Sequence, residues 1–124
     1  MKRLLAALVL FVMIITAYLI GFFYIKNTCA KAGELLETCI EEYNKNNNAL
    51  KSANELEDFW QEKEKLLSVF ANHTEIDEIE MTISTLKVYS TTDDKVHFRE
   101  YSGNVKILLH QLNEDIIPSI HSIF

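Results

Sequence analysis

The chain has 124 residues, enough for one ordinary domain and no more. Three Gly and one Pro stand far below the usual share of about 12%, which disfavours a turn-rich all-β fold. Eighteen acids against twelve Lys and Arg give a net charge of -6, and phosphate binding needs a concentrated basic surface, so nucleic acid is not an expected partner.

Between Arg3 and Lys26 lie 22 residues, Leu4 through Ile25, without a charge. As a helix they reach about 33 Å, against a hydrocarbon core of about 30 Å. Tyr18, Phe22, Phe23 and Tyr24 gather at the far end, where aromatic rings suit the headgroup layer. A lipid bilayer is therefore the expected partner of this stretch. Lys2, Arg3 and the α-amino group outweigh Lys26 and Lys31 slightly, which favours a cytoplasmic N-terminus and an extracytoplasmic remainder at the cell membrane. Ala30-Lys31-Ala32 has the small-x-small form of a signal-peptidase site, but signal-peptide cores run about 7 to 15 residues, and this one is longer. Retention as an anchor is the expectation. Lipidation at Cys29 is disfavoured by the polar Lys26-Asn27-Thr28 before it.

The expected organisation is thus an anchor over residues 1–25 and a helical domain over 26–124. Without Lys2 and Arg3, ten basic side chains face eighteen acids, so the domain carries -8. Anionic headgroups would repel it, and it is not expected to lie flat on the bilayer.

Ile25, Cys29, Ala32, Leu36, Cys39 and Tyr43 recur at 4-3-4-3-4, the seam of a helix packed on another helix. Gly33 offers a bend, and the run Asn44-Lys45-Asn46-Asn47-Asn48 ends the helix. A second helix is expected from Ser52, whose spacing to Glu55 is that of a capping box, with an apolar face of Leu56, Phe59, Trp60, Lys63, Leu66, Leu67 and Phe70. A third starts at a Thr74 cap and carries Ile76, Ile79, Ile83 and Leu86. After Thr91-Thr92-Asp93-Asp94, a fourth shows Phe98, Tyr101, Val105, Leu108 and Leu112, runs through Gly103 and stops at Pro118, leaving Ile120, Ile123 and Phe124 to dock as a tail. The fold class is all-α: a single N-terminal transmembrane helix followed by a small antiparallel helical bundle.

The stretch from Trp60 to Leu86, above all His73-Thr74-Glu75-Ile76-Asp77-Glu78-Ile79-Glu80 with Leu86-Lys87 after it, resembles domain of unknown function family 4363. So do the Lys-Arg start and the ending Pro118-Ser119-Ile120-His121-Ser122-Ile123-Phe124. The resemblance implies a small bacterial protein with one N-terminal membrane helix and a helical domain. It implies no enzymatic activity.

His73, Asp77 and Glu80 fall at i, i+4 and i+7, so one helical face could offer imidazole and carboxylates to a divalent metal, with Glu75 nearby. The plainer account is that these acids complement the helix dipole, and no metal or other cofactor is expected. Cys29 and Cys39 lie about 15 Å apart along one helix, too far for an intramolecular disulfide. They read as small buried residues, with a parallel homodimer bridged across the seam as the alternative. Trp60 reads as core, while His97, His110 and His121 are dispersed. Glu75 and Glu80 as an acid–base pair is the weakest reading, so no enzyme is expected. A non-enzymatic interaction module or accessory subunit, its partner a protein and an integral membrane protein first of all, leads. A cation or ligand sensor using residues 73–80 is the alternative.

Overall fold

The computed structural model describes the backbone of residues 1–123 and the side chains of residues 1–115. Four helices follow in order: α1 (Lys2–Asn46), α2 (Leu50–Phe70), α3 (His73–Tyr89) and α4 (Lys95–Ile123). Their links are two to five residues long, which forces neighbours to run antiparallel. α1 packs on α2 and α4, and α3 closes the ring between them, so the bundle is cyclic in chain order.

α1 carries both halves of the molecule. From residue 4 to residue 20 every side chain except Tyr18 is exposed, and this half is long and apolar enough to cross a membrane. From Gly21 upward the same helix turns a buried stripe of Ile25, Cys29, Ala32, Leu36, Cys39 and Tyr43 inward, the seam that the 4-3 spacing predicts. It passes through Gly33 without interruption. It ends where the Asn run is expected to end it: Asn47 adopts a left-handed conformation (φ 55°), and its N–H donates to the Tyr43 carbonyl at 2.8 Å.

The helix starts lie earlier than the spacing predicts. Asn48 Oδ1 accepts from the Leu50 N–H at 3.0 Å and the Ala49 N–H bonds the Ser90 carbonyl at 3.0 Å, so α2 begins before Ser52. Ser52 is buried inside the helix and donates to Glu42 on α1 instead of capping. At α3 the cap is Asn72, whose side chain accepts from Thr74 N at 2.9 Å, and the expected Thr74 cap lies within the first turn. In both cases an asparagine just ahead of the expected residue reaches the free N–H groups first.

The core contains the expected residues of α3, Ile76, Ile79, Ile83 and Leu86, together with Leu56, Trp60 and Leu67 of α2. Trp60 is fully buried, with its indole N–H on the Ile76 carbonyl at 3.3 Å. Tyr43 stacks on Phe98 with ring centroids 3.8 Å apart and donates its hydroxyl to the Thr92 carbonyl at 2.8 Å, closing the upper end. Two stripes need correction. On α2 the inward line is Ala49, Ala53, Leu56, Trp60 and Leu67, which puts Leu66 and Phe70 on an exposed flank. On α4 it is Phe98, Ser102, Val105, Leu109 and Leu112; Tyr101 and Leu108 are half-buried at the edge, where Tyr101 stacks on Tyr89.

α4 runs through Gly103 as expected, but also past Pro118, so the expected stop there is corrected. A proline removes one N–H donor and crowds the carbonyl four residues back, at about 3 kcal/mol, yet it does not forbid helix on either side. The docking expected of Ile120, Ile123 and Phe124 concerns side chains outside the described residues.

Trp60 touches the core and donates into it, so Trp60→Ala should destabilise the bundle by about 3–5 kcal/mol in chemical denaturation followed by circular dichroism. Trp60→Phe, which loses the hydrogen bond and less volume, should cost less.

Candidate functional site

The acids that α3 carries near its start divide between its two neighbours. Glu80 turns toward α2, where Gln61 Nε2 donates to it at 3.4 Å and where Glu64 hydrogen-bonds its carboxyl. Glu75 turns toward α4 and hydrogen-bonds Asp115. Two carboxyl pairs therefore bridge helices, Glu64 with Glu80 and Glu75 with Asp115. Such a bond needs a proton between the two oxygens.

Burial pushes Glu64 up to about 7, helped by the hydrogen bond to Glu80 and by the charges of Glu80 and Asp77. One of its oxygens, Oε1, is buried with no hydrogen-bond partner among the described residues, which is far cheaper for a neutral carboxyl than for a carboxylate. Burial likewise pushes Glu75 up to about 7, with the Asp115 hydrogen bond, the Asp115 charge and Glu78 adding to it. Higher on the same interface Glu57 behaves oppositely. Burial would raise it, but hydrogen bonds from Ser84 Oγ at 2.8 Å and Lys87 Nζ at 3.1 Å, with the lysine's charge, bring it below the usual range.

The other singled-out residues stand apart from these pairs. His73 is the first residue of α3; its Nε2 lies 3.7 Å from Asp77 Oδ2 and its Nδ1 3.4 Å from Ser68 Oγ, all on the exposed surface. Glu80 does not join them: its partners are Gln61 and Glu64. Among the described residues no group of three or more His, Cys, Asp or Glu side chains is placed to hold a metal ion. Glu75 and Glu80 point to opposite flanks of α3 and form no pair with each other. Trp60 belongs to the core, where its indole N–H is already satisfied.

Cys29 and Cys39 are free thiols buried in the α1 seam. Burial pushes both up to about 12, and Glu42 adds to this at Cys39. They face the protein's own core, so a bridge to a second copy would require the bundle to open.

Glu64 and Asp115 were legible in principle and not singled out. Glu64 follows Trp60 by four residues and precedes Leu67 by three, on the inward line of α2; Asp115 follows Leu112 by three on α4. An acid at an inward register position is the signal. Below the lower pair lies a cleft of about 550 Å³ between Tyr18, Gly21 and Phe22 of α1, Phe70, and the carboxyls of Glu75 and Asp115.

The sequence profile of a family described as a domain of unknown function (DUF4363) matches residues 19–123, the whole of the packed bundle. No curated protein and no solved structure matches the chain.

Glu64 and Glu75 bind a proton more tightly folded than unfolded, so between about pH 4.5 and pH 7 the folded state holds more protons and stability falls as pH rises. The Glu57 contribution is lost only below that window, as pH falls through its lowered value. The full-length protein in detergent should melt at a higher temperature near pH 5 than near pH 8. After discounting for partial exposure, a difference of about 1 kcal/mol, or about 4–8 °C, is expected. Glu64→Gln with Glu75→Gln should flatten the dependence. Cys29 and Cys39 should resist a thiol reagent in the native protein and react promptly once it is unfolded in denaturant.

Proposed function

The chain belongs to the DUF4363 family, and from the way one helix serves both its apolar stretch and its bundle we propose a non-enzymatic, membrane-tethered module that binds another protein as an accessory subunit or scaffold. The N-terminus is cytoplasmic, residues 4–25 span the cell membrane and the acidic bundle stands on the far side. The observation that carries this reading is the continuity of α1, 45 residues long without a break. A flexible linker would let the bundle diffuse about its tether. A shared helix instead fixes the bundle's height and orientation relative to the span, which suits a subunit docked beside a membrane partner. The exposed apolar half of α1 supplies the membrane-side surface, and the -8 domain suits basic or cation-bearing protein surfaces better than lipid headgroups.

The alternative, a sensor taking a cation or ligand at residues 73–80, has less support. His73 and Asp77 pair on the surface while Glu80 is engaged across α2.

Two experiments test the proposal. After an alkaline carbonate wash the full-length protein should stay in the membrane pellet; release as a soluble species overturns the anchor. After crosslinking in intact cells and purification through a C-terminal tag, a stoichiometric membrane protein should co-purify. Self-crosslinks alone would overturn the accessory-subunit reading.

A further inference from the structure

Leu66, Val69 and Phe70 stand at i, i+3 and i+4 on the last turns of α2 and remain 48%, 70% and 36% exposed. They form an apolar patch on the side of the helix that the bundle does not cover. The ring of Phe70 lies directly on Gly21, so closely that a Cβ at residue 21 would collide with it. The patch is thereby continuous with the apolar surface of α1.

The height of this contact is set by counting along α1. Gly21 comes 17 residues after Leu4, a rise of about 26 Å, whereas the hydrocarbon core is about 30 Å thick. Tilting the helix shortens that rise further. Lifting the corner clear of the hydrocarbon would draw Arg3 into it from the opposite side. Charge agrees with the count: residues 65–74 contain no acid, in a domain that carries eighteen, and they include Lys65 and His73.

Resting on the anchor reading above, we propose that the α2–α3 corner is seated in the interface of the same bilayer that holds α1, with Val69 and Phe70 at the boundary of the acyl chains and Leu66 just above them. Lys65 and Ser68 lie higher on the same face, and Asn72 and His73 at the tip of the corner meet water and lipid oxygens of the interface. Of the acids, Glu75 and Asp115 stand at this level, lining the cleft beside Gly21, and the bundle stands on its corner rather than lying down. The occupant of the patch is lipid, and Gly21 with Phe70 forms the joint that holds the corner at that depth.

The test uses the full-length protein reconstituted in phosphatidylcholine vesicles with bromines near the top of the acyl chains, which quench nearby tryptophan. Trp60, the single native tryptophan, is fully buried and provides the baseline. Three exposed positions receive a second tryptophan one at a time: Leu10→Trp in the apolar stretch, Val69→Trp at the corner and Val88→Trp at the far end of α3. Quenching of L10W and V69W, with V88W left at the baseline, is the expected result. If L10W is quenched and V69W is not, the anchor stands, the corner proposal falls, and the patch is left to a protein partner. If V88W is quenched as well, the domain lies on the bilayer and the upright seating is overturned. If L10W is not quenched, the anchor reading itself falls and the proposal falls with it.

Discussion

The rest of the molecule depends on a single helix that changes character along its length, from an apolar stretch long enough to cross a membrane to one wall of the bundle. From Leu4 to Ile20, α1 presents exposed, almost wholly apolar side chains, a stretch long and apolar enough to cross a membrane. Above it the same helix narrows to one inward stripe, and that stripe is a wall of the bundle against which both α2 and α4 pack. Because backbone hydrogen bonding continues through the change, the two stretches are joined without a break. A tilt or rotation of the lower half moves the seam Ile25 to Tyr43, and with it the core around Trp60. The interruption offered by Gly33 is not taken as a helix end, since continuation keeps the seam in phase across it.

Onto this wall the other helices are fixed by polar contacts graded along the bundle. At the top, Tyr43 reaches Thr92 and stacks on Phe98, while the Ala49 N–H bonds the Ser90 carbonyl. On the outer flank Lys106 Nζ stands 2.6 Å from Glu37, tying α4 to α1. At mid-height Glu57 takes both Ser84 and Lys87, a contact that favours the charged carboxylate. Lower down the pattern inverts: Glu64 beside Glu80 and Glu75 beside Asp115 are pushed up by burial and by the neighbouring carboxyl. The α2–α3 and α3–α4 contacts near the base thus depend on protonation near neutral pH in a way that the upper contacts do not. The same end of the bundle carries the cleft and the apolar corner.

Much of this was legible beforehand, for reasons particular residues make plain. Ile25 to Tyr43 and Ile76 to Leu86 repeat at strict helical spacing with few other large apolar residues, among them Leu35, Ile40 and Met81, so each names one buried line. α2 defeated the same reasoning because its apolar residues are more numerous than one line can hold. Leu56, Trp60 and Leu67 go to the core and Leu66 and Phe70 do not, and periodicity by itself does not say which of two adjacent lines faces inward. On α4 the small Ser102 occupies an inward place that a search for apolar residues passes over. Helix starts moved for a related reason: Ser52 and Thr74 have capping spacing, but Asn48 and Asn72 stand nearer the free N–H groups.

By itself the sequence determined what local chemistry decides: four helices, their approximate breaks, the long uncharged stretch and the acidity of the domain, since each follows from composition or from neighbours a few positions away. Only the tertiary structure decided which acids meet. Glu64 and Glu80 are sixteen residues apart and Glu75 and Asp115 forty, and no local pattern encodes a contact between helices. It also decided that His73, Asp77 and Glu80 do not form one cluster: Glu80 takes Gln61 and Glu64 as partners, while His73 and Asp77 pair with each other on the exposed surface. Side-chain partners across a bundle depend on the rotation of each helix about its axis, and that rotation is set by how all four seams pack together at once.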